Sequence, residues 1–198
     1  MWAIVTDGNI TETFNNQKGL ILDGVQYSKK IFSLWSKSER EAKGLYEVVL
    51  DNTNFKDQAY YINTNQSFAF ADGVVTASYG SSTAKAHADT LFTSDDEDNG
   101  LGTEGEVKVE GLKTTRIRAV KSKAEDILKN TDWYIIRKAD AGTSVPSAIT
   151  NHRAAVRTKC ASMETAITNA SNTPAIETLY TRNDVGVRPL GDLPVLEV

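Results

Sequence analysis

Three Asp-Gly dipeptides stand between β-prone runs in the first half of the chain. Asp7-Gly8 separates WAIVT from ITETF, Asp23-Gly24 separates LIL from VQY, and Asp72-Gly73 separates SFAFA from VVTASY. An Asp-Gly turn suits a tight strand reversal, because both residues tolerate the left-handed backbone that a short hairpin loop demands. No other feature narrows the possible folds as much, since each dipeptide pairs the two runs beside it. The N-terminal part therefore has to be built on hairpins. LYEVVL and YYINTN read as further strands from their aromatic and β-branched content. Between them and the second hairpin, Ser38 followed by Glu41 has the spacing of a capping box, and Gly44 fits a stop, which predicts a short helix over 38–43. Ser94–Gly105 is acidic and Gly-rich and reads as a loop, with a short strand after it at Val107 and Val109.

From Gly111 the texture changes. Ile117, Val120, Ala124 and Ile127/Leu128 recur at helical spacing, which predicts an amphipathic helix over about 113–129. Thr131 or Asp132 can cap a second helix, WYIIRKAD, ended by Ala141-Gly142. Ser144 can cap a third, with Pro146 in its first turn, running to about residue 170. Its apolar positions Ile149, Val156, Cys160, Met163 and Ile167 form a seam in which only Arg153 is polar. Such a seam packs within a bundle or between copies of a chain. Pro174 opens a last short helix, PAIETLY, and RPLGDLPVLEV is expected to be extended. The expected fold class is α+β. It comprises a small N-terminal β-rich module with a short helix (1–50), a β extension with the acidic Gly-rich loop (51–110), a helical bundle module (111–180) and an extended C-terminal tail (181–198).

Composition sets the outer bounds. With 198 residues, 40% hydrophobic and 24% charged, the chain is ordinary for a globular protein with a real core. It has no 18-residue apolar run of the kind that spans a membrane, and MWAIVTDGNITET lacks the basic and apolar regions of a secretory signal. The single Cys160 fits synthesis in a reducing cytoplasm, and one Cys with two His cannot supply a four-ligand zinc site. The net charge of −4 is unevenly spread: residues 1–110 hold 9 Lys+Arg against 17 Asp+Glu, and residues 111–198 hold 13 against 9. Opposed halves can steer head-to-tail association, although solvated helix faces ordinarily carry scattered charge.

Several stretches resemble chemical sites. Asp95–Glu106 nearly matches the spacing of an EF-hand loop, yet Glu97 replaces Asp or Asn and Gly102 stands where a β-branched anchor is usual. The same loop holds a literal GxGxxG, Gly100–Gly105, but acids precede it and a strand follows, the wrong context for a pyrophosphate. Cys160 and His152 lie about 12 Å apart along one predicted helix, too far to hydrogen-bond. His87 has no acid constellation beside it in sequence, and Ser82–Lys85 matches S-x-x-K without its companion motifs. Residues 112–159 hold 11 Lys+Arg against 4 acids, a balance suited to phosphate contacts. Against that, Trp133 and Tyr134 read as core beside Ile135 and Ile136 rather than as a base-stacking platform. No catalytic, cofactor-binding or metal residue is assigned.

One resemblance covers most of the chain. The segment GLKTTRIRAVKSKAEDILKNTDWYIIRKADAGTSVPSAITNHRAAVRTKCASMETAITNA is similar to the C-terminal helical module of tail and virion proteins of marine bacteriophages that infect cyanobacteria and related bacteria. The pattern there is a basic helix, then TDWY-IRKAE-G-IP, then YR--VRTK-NEMETAI. It is met by Thr131, Asp132, Trp133, Tyr134, Ile136, Arg137, Lys138, Ala139, Gly142, Pro146, Arg153, Val156, Arg157, Met163 and Glu164. Asp140 replaces Glu and His152 replaces Tyr. At the front, ILDGVQY with SEREAKGLYEVV resembles a DGVQYP…S-EER-ALGI-EVV module, with Ser28 in place of Pro. YYINTNQSFAFADGVVTASYG and RPLGDLPVLEV also look like parts of those proteins. The resemblance implies a non-enzymatic virion structural protein of the viral tail or tail-fibre attachment region, made in the host cytoplasm. It would be a homo-oligomer working by protein–protein interaction with other tail or fibre proteins, without cofactor. The expected contacts are the seam from Ile149 to Ile167 and the strand edges of residues 51–80. A related helical ending in tail-fibre assembly proteins implies the alternative of a cytoplasmic chaperone. A calcium- or nucleic-acid-binding module is the weaker alternative.

Overall fold

The computed structural model describes residues 1–196, so Glu197 and Val198 of the expected extended tail lie outside the described residues. The fold is α+β, and the chain divides into two compact units, Met1–Thr83 and Ala84–Val198. The division falls within the two-residue strand β9 (Thr83–Ala84).

The first unit is built from β1 (Trp2–Thr6), β2 (Asn9–Phe14), β3 (Leu20–Leu22), β4 (Val25–Tyr27), β5 (Leu45–Asp51), β6 (Tyr61–Ile62), β7 (Gln66–Ala71) and β8 (Val74–Tyr79). All three Asp-Gly pairs close hairpins of two-residue loops, with Thr6 facing Asn9, Leu22 facing Val25, and Ala71 facing Val74. Their φ values are 50° and 78° at Asp7-Gly8, 51° and 74° at Asp23-Gly24, and 52° and 75° at Asp72-Gly73. Two positive φ in succession give a turn whose twist matches that of the paired strands. The sheet order is β2-β1-β5-β8-β7, antiparallel except for β5 against β8, which is parallel. The edge strands β2 and β7 also approach each other, so the sheet curls.

Strand alternation loads both faces of this sheet. Ala3 and Val5 point to one side and pack with Val48, Val75 and Ala77, against Phe68 and Phe70. Trp2 and Leu45 point to the other and meet Leu20 and Leu22 of the second hairpin together with Ile31 and Phe32. Ile31 and Phe32 belong to α1 (Ile31–Leu34), a single helical turn with no signal in the sequence reading. Trp2 and Phe32 stack edge to face at 4.8 Å between centroids. The predicted helix over 38–43 is α2 (Lys37–Glu41), and its capping box is Ser36 with Glu39, not Ser38 with Glu41. Both pairs have the spacing. The earlier start leaves Ala42 and Lys43 to reach Gly44, whose carbonyl accepts the Val5 N–H at 2.8 Å. Gly44 has φ +72°, and a side chain there would run into the Val5 carbonyl oxygen.

In the second unit, β10 (Thr90–Leu91) pairs antiparallel with β11 (Val107–Val109), and α3 (Ser94–Asp98) lies between them. The helix corrects the expected loop over 94–98, while 99–105 remain in turns and coil. Thr93 and Asp96 form a capping box, and Asp95, Asp96 and Glu97 fill the first turn, where acids meet the positive end of the helix dipole. The acid run that reads as a loop is thus a helix start. The longer helices are α4 (Leu112–Lys129), α5 (Asp132–Ala141), α6 (Ser147–Asn169) and α7 (Thr173–Tyr180). Val120 and Ala124 of α4 join Val156, Cys160, Met163 and Ile167 of α6 in one core, closed by Leu190 and Leu193 of the extended C-terminal segment. Ile117, Ile127 and Leu128 flank it, so the helical face predicted for α4 is the face that packs. Pro146 occupies the cap position of α6 without a side-chain bond, and Ser144, the expected cap, lies outside the helix.

The start of α4 is held from a distance. Gly111 sits at its cap position and has no side chain to offer, so Asp89 supplies the carboxylate. It accepts the Gly111 N–H at 2.7 Å and the Thr114 hydroxyl at 2.8 Å. These bonds, the Gly111 N–H first, hold the Asp89 carboxyl below its ordinary value of 3.8. A carboxyl lowered on folding contributes stability above its unfolded pKa and loses that contribution as pH falls through its folded pKa. Asp89→Asn is therefore expected to lower the melting temperature at neutral pH, with the gap to wild type closing as the buffer is acidified. A gap that stays constant across that range would remove the carboxylate from this role.

Candidate functional site

The segment richest in reactive side chains, Thr131–Arg157, joins the end of α4 to α6 through α5. Two residues shape the connection. Gly142 caps α5 at φ +68°, and Pro146 sets the entry to α6. Around that turn the structure exposes the aromatic side chain expected in the core and buries one arginine.

Arg153, the single polar member of the α6 seam, is buried at 8% exposure. One guanidinium nitrogen reaches the Leu128 carbonyl at 2.8 Å, the Thr131 hydroxyl at 2.7 Å and the Asp132 carboxylate at 2.8 Å. Its charge lies at the C-terminal end of α4, where carbonyls lack intrahelical donors and the helix dipole favours a cation. Thr131 is also buried. It occupies the cap position of α5, one of the two expected, but its hydroxyl donates to the Leu128 carbonyl and makes no side-chain cap bond to that helix. Arg153 thereby ties α6 to the end of α4 and the start of α5. With Lys121 of α4 paired to Glu164 of α6 at 3.0 Å, the contacts run in opposite directions along the two helices, which are antiparallel.

The α5 helix has no buried residue. Trp133 is 49% exposed, Ile135 43% and Ile136 66%, so the expectation that they form core is corrected. The reason is geometric. Arg153 anchors only the start of α5, and the core of α4 and α6 is already closed by Leu190 and Leu193. Arg137 lies over the Trp133 ring at 4.6 Å and holds it against the helix surface.

The seam of α6 is placed as predicted, but its partner is internal. Ile149, Val156, Cys160, Met163 and Ile167 are all buried within the chain, so the seam is not a free contact surface. Of the strand edges in residues 51–80, β7 is an end strand of the sheet, and it approaches β2.

The remaining candidates are dispersed. Cys160 is buried, and its thiol is pushed up by burial and by the Glu164 carboxylate, which accepts from it at 3.4 Å. A thiol held in its neutral form is a poor nucleophile. His152 is buried and lines a cavity of about 260 Å³ together with Ile127, Asn130, Thr131, Pro194 and Val195. Asp95 and Glu97 stand on α3, and Asp96 is paired with Lys108 at 2.6 Å, so the first four positions of the EF-hand spacing are wound into helix. Among the described residues no three His, Cys, Asp or Glu gather where they could hold a metal ion. No helix of the described residues is long and apolar enough to cross a membrane.

Sequence reasoning missed Arg153 as an anchor, although the signal was present: a single cation in an otherwise apolar seam has to be paired or lie next to orphan carbonyls. It missed the exposure of α5 because nothing local distinguishes an apolar helix face that is covered from one that is not. No family model, curated protein or solved structure matches the chain.

Proposed function

We propose that this chain is a non-enzymatic structural protein of a bacteriophage tail or of its fibre attachment region, and that it acts by protein–protein contact. The observation that carries the reading is α5. Its TDWY-IRKA stretch carries the resemblance to phage tail and virion proteins, and it presents Trp133 and Ile136 to solvent. Exposed aromatic and aliphatic side chains together with arginine are the composition of contact surfaces between proteins. The α6 seam is consumed by the chain's own core, which leaves α5 as the contact element of the resembling segment.

Mass spectrometry of purified particles tests this reading. The chain is expected among the components of mature virions after stringent washing. Its presence in infected-cell lysate and absence from particles would overturn the structural role and leave that of a fibre-assembly chaperone.

A further inference from the structure

The cavity beside His152 lies wholly within the second unit. It measures about 260 Å³ and is lined by Ile127 of α4, by Asn130 and Thr131 just beyond that helix, by His152 of α6, and by Pro194, Val195 and Leu196 of the C-terminal segment. Its walls are mostly apolar, and among the described residues no charged side chain lines it. His152 is 8% exposed, and its ring has no hydrogen-bond or ion-pair partner among the described residues. The Thr131 hydroxyl is already engaged, donating to the Leu128 carbonyl and accepting from Arg153.

These features define what the cavity can hold. A molecule that fills it gives the apolar walls dispersion partners, and one that bonds the ring satisfies an imidazole that burial has cut off from water. Water serves neither need well, because it requires several polar neighbours and the His152 ring and Asn130 amide stand among aliphatic walls. An apolar cavity of about 150 Å³ admits benzene. The larger volume here therefore accommodates one ring with a substituent. An ion is disfavoured, since its charge would be buried without a partner. A ring nitrogen of His152 matches a single hydroxyl or N–H.

We propose that this cavity binds a small uncharged molecule of the phenol or indole class, one ring with a single hydroxyl or N–H, its polar group on His152. A free molecule fits better than a tyrosine or tryptophan side chain of a partner. His152 is buried, so a peptide backbone following the ring inward would bring its polar groups among aliphatic walls. Such binding is independent of the tail reading, because it uses neither the α5 surface nor a place in the particle.

Titrating the full chain with p-cresol while following the ring signals of its two histidines tests the site. The His152 signals, assigned by their loss in His152→Phe, are expected to shift saturably while those of His87 stay in place. p-Cresol is expected to bind about threefold to tenfold tighter than toluene, which has the ring without the hydroxyl. It should also raise the melting temperature more at equal concentration. His152→Phe keeps a ring and is expected to bind both compounds alike, whereas His152→Gln keeps a donor and an acceptor and should recover part of the preference. No saturable shift at His152 with either p-cresol or indole would overturn the proposal. So would toluene binding as tight as that of p-cresol, or a preference that survives in His152→Phe. N-acetyl-tyrosinamide binding as tightly as p-cresol would overturn it by assigning the cavity to a side chain of a partner. If neither variant folds, triple-resonance spectra assign the His152 signals, and the wild-type comparison of p-cresol with toluene decides alone.

Discussion

Arg153→Met is expected to unfold at distinctly lower urea than wild type, with a loss of about 2–4 kcal/mol. The methionine keeps most of the aliphatic volume, so the loss reports on the guanidinium. Two hydrogen bonds and an ion pair depend on it: those to the Leu128 carbonyl and the Thr131 hydroxyl, and the pair with the Asp132 carboxylate. Thr131 is 3% exposed, so water cannot freely replace the donor there. Asp132 is half exposed and recovers solvent, which keeps the loss below that of a fully buried ion pair broken on one side. Arg153→Lys carries the charge but presents an ammonium on a differently shaped stem, and should recover part of the loss. The measurement is the denaturation midpoint of the three proteins. Equal midpoints for arginine and methionine would remove the anchor from the account of how α4, α5 and α6 are joined.

Leu45→Ala is the corresponding test in the first unit, with an expected loss of about 3–5 kcal/mol. Leu45 is fully buried and begins the central strand β5, packed beside Trp2 and the residues of the second hairpin and α1. Removing it leaves a cavity beneath a sheet pinned by hydrogen bonds on both sides of β5, so the site has little freedom to collapse. Leu45→Met nearly conserves volume and should cost under about 1.5 kcal/mol. Near-UV circular dichroism, which reads the packed Trp2 and Phe32 rings, distinguishes a loosened core from a rearranged one. A Leu45→Ala protein as stable as Leu45→Met would mean that this side of the sheet is not well packed.

These two residues differ in how far the sequence exposes their roles. Leu45 opens a β-rich run, and its strand was legible from residue type alone. That β5 lies parallel to β8 was not, because parallel pairing here arises when the β7–β8 hairpin returns to the sheet, and a turn signal reports only on its own two strands. Arg153 was visible as the single polar member of a seam, but its acceptors lie 21 to 25 residues earlier and no spacing rule connects them. The acid run at Ser94–Asp98 shows the opposite failure. Its Thr93–Asp96 box was readable, and the density of charge disguised it as a loop.

Backbone preferences act over a few residues, and the sequence alone determined what they control: three Asp-Gly hairpins, the α4 and α6 helices with their apolar faces, and the turn at Gly142 and Pro146. Burial depends on which surfaces distant parts of the chain cover, and only the tertiary structure decided it. Once Leu190 and Leu193 closed the core of α4 and α6, the seam that looked free was filled. Arg153 went inside, because the end of α4 offered it a carbonyl and Asp132 a charge, and Trp133 was left outside for want of anything to cover it.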